Sequence, residues 1–286
     1  MITRKVIIGT ANLNSNYGLI KNSLKIKDFR NVLKFCKKLG IKIIDTSPNY
    51  SNSEIIIGRE TKKFEIITKI PKIPKKIKKI EIVDWIFKKI YESSANTKTK
   101  KFYGVLLQNA DILLSSKSLI IYKTLQDLKK KGKISKIGIS IYNFKILEKI
   151  LDQFKIDFIQ VPFNVFDRRI LNKKILKKIK KKGVKIHVRS IFLQGLLIEK
   201  NFQIPSHLSN LKKNLKNWHQ WLKKNNIDPL NGCIEFVSNY KQIDKFVIGF
   251  NNFKQFNQII NFKKKNLNFK KLNLNLNEKS IDPRKW

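Results

Sequence analysis

The sequence predicts a single α/β domain folded as a closed (β/α)8 TIM-type barrel, and three observations lead there. Short apolar runs bounded by turn residues alternate with amphipathic helical patterns, and eight such strand-then-helix units follow one another along the chain. At 286 residues with 42% hydrophobic content, the chain is long enough to bury such a core without splitting in two. The rival architecture, an open doubly wound sheet, commonly carries a glycine-rich phosphate turn after its first strand. Here "VIIGTANLNSNYG" holds no G-x-G-x-x-G, and no Walker-type loop occurs elsewhere.

The first strand is read at 6–9, ending in Gly9-Thr10. A helix follows at 28–39, with Val32, Leu33, Cys36 and Leu39 on one side, lysines on the other, and Gly40 as its stop. Strands at 42–45 and 65–69 flank a short helix at 53–61, and a helix at 83–93 precedes the fourth strand at 105–107. The next helix, 118–131, is closed by Gly132; strand 136–140 and helix 145–153 come after it. Strand 157–161 leads to a helix at about 169–182 stopped by Gly183, then to a seventh strand at 185–190. The eighth strand is read at 245–248, with a helix at about 254–262. Two regions interrupt the alternation. A long insert at about 194–242 carries helical patterns near 207–224 and 232–240. The tail, 266–286, lies beyond a barrel domain of 1–265 and is expected either to pack on the barrel or to be disordered.

The formal net charge is +42, a value that raises nucleic acid or acidic membrane as partners. Only seven of the 62 basic residues are Arg, however, and the lysines are spread over many helix faces instead of forming one stripe with interleaved aromatics. A solvated, codon-biased surface is therefore expected, with no specific nucleic acid partner. No run of about 18 apolar residues suggests a membrane span. The start, "MITRKVIIGT", lacks a signal-peptide h-region, and Cys36 and Cys233 make neither a disulfide framework nor a metal knuckle. A cytoplasmic protein without a metal is expected, and nothing sets its oligomeric state.

In a barrel of this kind the site lies at the C-terminal ends of the strands. Those ends offer Gly9-Thr10, Asp45, Lys69, Gln108, Ser140, Gln160 and Arg189-Ser190. Asp45, Tyr50 and Lys69 form a coherent set. An ammonium beside a phenol favours the phenolate, and a carboxylate beside the ammonium keeps it charged and oriented. A tyrosine so placed can give a proton to a carbonyl oxygen as hydride arrives at carbon. Ser51-Asn52-Ser53-Glu54 fits a capping box that would fix the turn after Tyr50.

The blocks "IIDTSPNYSNSEIIIG", "IITK", "GKISKIGIS", "DFIQVPFNVFDRRI", "VRSIFLQGLL" and "VIGFNNFKQFNQI", in this order, resemble the aldo-keto reductase family along nearly the whole chain. The style is that of a bacterial branch associated with sugar metabolism. The resemblance implies an oxidoreductase acting on a carbonyl, or on the matching alcohol, of a small sugar or sugar derivative. Tyr50 matches the proton donor, Lys69 the partner that eases its ionisation, and Asp45 the carboxylate paired with that lysine. Gly9 and Thr10 match the turn near the nicotinamide, and Ser140 and Gln160 match residues that hold its carboxamide. Ser190, Phe192 and Gln194 match the loop around the pyrophosphate. The segment 249–258, with Gly249, Gln255 and Gln258, matches the grip on the adenosine end. The implied cofactor is NADP(H), with NAD(H) as the alternative, because the arginine that commonly reads the 2′-phosphate is missing near Gln255.

Three positions depart from the family pattern. Gln108 stands where the family places a catalytic His, and of the three histidines His187 lies inside a strand while His207 and His219 lie in the insert. A glutamine can still donate an N–H to a carbonyl oxygen but cannot carry a proton. Ile141 replaces an Asn that often assists Ser140. Arg189 replaces an aromatic ring that usually stacks on the nicotinamide, so its guanidinium could stack there or receive an anionic substrate. The alternatives to a reductase are a cofactor-binding barrel with weakened chemistry, because of Gln108, and a basic nucleic-acid-associated protein.

Overall fold

A computed structural model describes residues 2–19, 22–61, 63–199, 203–272, 274, 276 and 281–286. Eight parallel strands close into a barrel in sequence order: β1 (Val6–Gly9), β2 (Ile43–Asp45), β3 (Glu65–Ile70), β4 (Gly104–Leu107), β5 (Ile137–Ser140), β6 (Phe158–Pro162), β7 (Lys185–Arg189) and β8 (Lys245–Ile248). Helices α1 (Ile26–Lys38), α2 (Ser53–Glu60), α3 (Ile82–Thr97), α4 (Ser118–Lys130), α5 (Leu147–Gln153) and α6 (Lys173–Lys181) follow the first six strands in turn. The insert contributes α7 (Lys212–Lys224) and α8 (Pro229–Ser238), and α9 (Phe253–Ile260) follows β8. The expected barrel is thus present. Gly40, Gly132 and Gly183 stand just past α1, α4 and α6 at φ of 69°, 69° and 67°, a region where a side chain would be strained.

Successive strand residues face opposite sides, and this period of two sorts the core. Ile8, Ile44, Ile66, Val105, Leu107, Ile139, Val161, Val188 and Phe246 point outward and join the large apolar layer under the helices. Ile7, Ile43, Ile67, Leu106 and Phe158 point inward and form a separate cluster inside the barrel, with Val247 against it. Phe158 fills this interior because β4 and β5 give way. A Cβ on Gly104 would lie 2.8 Å from its ring, and one on Gly138 2.5 Å. His187 packs beside the same ring, with centroids 4.7 Å apart. Burial pushes its pKa down to about 3, so it stays neutral and belongs to the packing of the interior.

Element ends differ from expectation by a residue or more. β3 continues past Lys69 to Ile70, β7 stops at Arg189, and Ser190 beyond it takes a φ of 57°. α8 begins earlier than its periodicity suggests, because Asp228 accepts from the Asn231 N–H and Pro229 supplies the first turn. The insert and the tail pack on each other. Trp218 donates to the Leu197 carbonyl at 2.9 Å and stacks on Trp221, which meets Phe269 of the tail. The buried Glu235 accepts from the backbone N–H groups of Lys265 and Leu267 at 2.8 and 2.6 Å. The barrel seam joins β1 to β8, and two lysines clasp it at its N-terminal end. Lys5 donates to the Ile243 carbonyl and Lys245 to the Arg4 carbonyl.

Candidate active site

The residues two positions beyond the inward cluster form the next layer up, at the C-terminal mouth. β1 to β4 bring Gly9, Asp45, Lys69 and Gln108, the last of these one residue past its strand. β5 to β8 bring Ser140, Gln160, Arg189 and Gly249, the last likewise one residue past β8. All eight line one cavity of about 570 Å³, a volume suited to a small-molecule site. Tyr50, Thr10, Ser190, Phe192, Gln194 and Gln255 line it as well. Gln258 does not: its amide donates to Asp228 at 3.4 Å, at the start of α8.

Asp45, Lys69 and Gln160 form an enclosed polar cluster at the mouth, with relative exposures of 2%, 5% and 1%. Lys69 Nζ lies 2.6 Å from Asp45 Oδ1 and 2.9 Å from the Thr46 carbonyl. Gln160 Nε2 donates to the other carboxylate oxygen at 2.7 Å, so both oxygens of Asp45 are held. Burial by itself would push the Lys69 ammonium toward neutrality. The charge of Asp45, with Tyr50 beyond it, more than offsets this, and Lys69 is held above the usual lysine value and stays charged. Its Nζ sits 4.8 Å from the centre of the Tyr50 ring.

The turn that carries Tyr50 is built from backbone bonds. Tyr50 N–H donates to the Ser47 carbonyl, Ser53 N–H to the Tyr50 carbonyl, and Ser53 Oγ to the Thr10 carbonyl. The expected capping box does not form. Ser51 takes a φ of 45°, the N-cap residue Asn52 makes no side-chain cap bond, and Glu54 turns inward to accept from Thr68 Oγ1 at 2.7 Å. A buried hydroxyl on the outer face of β3 won the carboxylate over the helix end.

Gln108 accepts from Asn49 Nδ2 at 3.0 Å through its side-chain oxygen, which leaves its N–H pair as the polar group for a ligand. Ile141 is fully buried in the layer under the helices. Arg189 stacks on Tyr142, its guanidinium carbon 3.9 Å from the ring centre, and Arg284 from the tail stacks on the same ring at 3.4 Å. Tyr17 is 49% exposed as a residue, yet its hydroxyl lies among Tyr50, Tyr142, Arg189 and Lys69; withdrawal of that hydroxyl from water pushes it up to about 12. Sequence reasoning missed Tyr17, Asn49, Tyr142 and Arg284. Tyr142 continues the alternation of β5 two residues past Ser140 and could have been found that way. Nothing local marks Arg284.

The loops after β1, β7 and β8 border the rest of the cavity. After β7, Ser190, Leu193 and Gln194 all take φ between 48° and 57°, and Asn164 Nδ2 donates to the Ser190 carbonyl. Gln194 Oε1 accepts from the Leu19 N–H at 3.1 Å and so ties this loop to the one after β1. Asn12 donates to the Phe250 carbonyl and to Asn251 Oδ1, while Gln255 Oε1 accepts from the Asn251 N–H. A Cβ on Gly249 would meet nothing within 4 Å, so a larger residue there would fill the cavity itself.

Fold and cavity together describe a closed eight-stranded barrel whose strand ends enclose a pocket with a buried Asp–Lys pair beside a tyrosine. The chain belongs to the aldo/keto reductase family, whose sequence profile matches residues 5–274. It is 28% identical over 146 residues to a D-arabinose 1-dehydrogenase of Saccharomyces cerevisiae, covering 48% of this chain and 42% of that protein. It is 26% identical over 186 residues to an NADH-specific methylglyoxal reductase of Escherichia coli, covering 56% and 55%. The matched stretches thus span about half the length of these relatives. Among solved structures, an aldo-keto reductase of Bacillus halodurans in its holo form superposes with a TM-score of 0.73 at 17% identity, over 97% of this chain and 95% of that one. A glycerol dehydrogenase of Gluconobacter oxydans gives 0.69 at 18% identity, over 94% and 93%. These likenesses speak to the fold.

Proposed function

We propose that the protein is an NAD(P)(H)-dependent oxidoreductase that reduces a carbonyl, or oxidises the matching alcohol, of a sugar or sugar derivative, with Tyr50 as proton donor. The observation that carries this reading is the enclosed Asp45–Lys69 pair set against Tyr50 at the cavity floor. The open face of Gly249 and the loop after β7 fit a nicotinamide dinucleotide, which supplies a hydride when bound. Gly9, Thr10, Ser140 and Gln160 would hold its nicotinamide end. Ser190, Phe192 and Gln194 would hold its phosphates, and Gln255 the adenosine side. Gln258 would contribute only by moving away from Asp228.

Tyr50 would give its proton to the carbonyl oxygen, and the Lys69 ammonium would balance the charge left on the phenolate. Gln108, its own oxygen engaged by Asn49, donates an N–H to the same carbonyl and sets its direction. The relatives' names, a D-arabinose dehydrogenase and a methylglyoxal reductase, support a small carbonyl or sugar substrate. NADP(H) remains the first expectation and NAD(H) the second, the latter favoured by the name of the bacterial relative. Quenching of reduced-cofactor fluorescence, then turnover with a panel of aldehydes, tests the reading. Tyr50→Phe is expected to lower kcat by about 100-fold or more while binding cofactor; undiminished turnover would refute the assignment.

Gln108 favours a second reading, a cofactor-binding barrel with residual chemistry. It is supported if wild type binds cofactor without turnover and Gln108→His restores none.

A further inference from the structure

We infer that the carbonyl substrate carries an anionic group, a carboxylate or a phosphate, which Arg189 receives; this rests on the reductase reading and names its substrate class. In the layer of strand-end residues that rings the cavity, Asp45 and Lys69 neutralise each other. Arg189 is the remaining charge of that layer, and among the described residues no carboxylate pairs with it. Among the described residues its guanidinium makes one hydrogen bond, a long one from Nη1 to Ser190 Oγ at 3.3 Å, and its Nη2 is buried with no partner. A half-buried guanidinium with an unbonded N–H is a standing cost that an arriving anion would relieve.

What holds Arg189 in place is an aromatic ring. Two guanidinium carbons at 3.9 and 3.4 Å from the centre of Tyr142 can only lie on opposite faces. Arg284, on the far face, already has its counter-charge, because its Nε and Nη2 bond both oxygens of Asp282 at 2.9 and 2.6 Å. Arg189 therefore has orientation without neutralisation. Lys72 adds a second cation at the rim; the acids there, Asp111 and Glu199, are exposed and solvated. The planar fork of a guanidinium matches two oxygens of a carboxylate or phosphate, and a slight rotation about the stack would present Nη2 to them.

The cofactor's own phosphates are the other source of such an anion, and the experiment separates the two. Matched substrates differing in charge are compared, glyceraldehyde with glyceraldehyde 3-phosphate and benzaldehyde with 4-carboxybenzaldehyde, in wild type, Arg189→Met and Arg189→Lys. Wild type is expected to favour the anionic member of at least one pair by about tenfold or more in kcat/KM. Arg189→Met should collapse that ratio toward one, whatever its absolute rate, and Arg189→Lys should keep part of it. The dissociation constant of reduced cofactor is read separately by fluorescence. A wild-type ratio near one, or a ratio that survives in Arg189→Met, overturns the inference. So does a loss confined to cofactor affinity, which would assign the anion to the cofactor. If no carbonyl turns over, the reductase reading fails on its own. Anion binding is then read from the rise in Tm with glycerol 3-phosphate against glycerol at matched ionic strength. A rise present in wild type and absent in Arg189→Met sustains an anion site, and equal rises in both proteins overturn it.

Discussion

Lys69 is the residue on which the site turns, because a buried ammonium is tolerable only with its counter-ion. Lys69→Met leaves Asp45 as an enclosed carboxylate with Gln160 as its remaining side-chain donor, and should destabilise the fold by about 3–5 kcal/mol. The double variant Lys69→Met/Asp45→Leu removes both charges and should recover much of that loss. Urea denaturation decides it: a single variant within about 1 kcal/mol of wild type would mean the pair is solvated. Asp45, Tyr50 and Lys69 could be read as candidates from the sequence because Asp45 and Tyr50 bracket one short turn and Lys69 lies near the end of the neighbouring strand. Gln160 was named as a candidate by resemblance, and it lines the cavity. Its bond to Asp45 was not, since it crosses the barrel mouth between residues 115 positions apart. The Arg189–Tyr142–Arg284 stack was hidden for the same reason: its members come from two strand ends and the tail.

At the scale of elements, alternation along the strands decides both the packing of the interior and the lining of the cavity. Each inward residue of the lower layer has a cavity residue two positions on: Ile43 and Asp45, Ile67 and Lys69, Leu106 and Gln108, Phe158 and Gln160, His187 and Arg189. Phe158 depends on glycines in β4 and β5. Gly138→Val would drive side-chain atoms into its ring and should cost about 1–3 kcal/mol. Adding Phe158→Leu should return part of it, as measured by denaturant midpoint; equal loss in the double variant would show that the crowding lies elsewhere. The order and type of these elements were legible because apolar runs and helical faces are local patterns. Their ends were less so. The Ser51–Glu54 pattern is a sound local signal, yet Thr68 on another element took Glu54 away, a competition no local window contains.

For the whole molecule, a net charge of +42 is spread over helix faces, as on α6, where Ile175 and Ile179 are buried among lysines. No helix among the described residues is long and apolar enough to cross a membrane. Acid sensitivity should come in part from the barrel interior. His187 has a folded pKa of about 3, well below the ordinary histidine value, so between these two values the unfolded chain binds a proton that the folded one refuses. Stability is therefore full above pH 6.5 and lost as pH falls toward 3, by up to about 5 kcal/mol from this residue. His187→Gln should flatten the pH dependence of the denaturation midpoint over that window. An unchanged slope would mean that other groups carry it.

The seam between β1 and β8 also governs when the cavity can close. The strands it joins lie about as far apart in the chain as the fold allows, with Lys5 bonded to a carbonyl 238 positions away. Gly9 and Gly249 reach the cavity from the two sides of that seam, and Arg284 comes later still. Contacts of such long range form slowly, because loop closure must precede any reward. A nascent chain thus carries Asp45, Tyr50 and Lys69 long before it can enclose a ligand, and ligand capture should appear as one of the last steps of refolding.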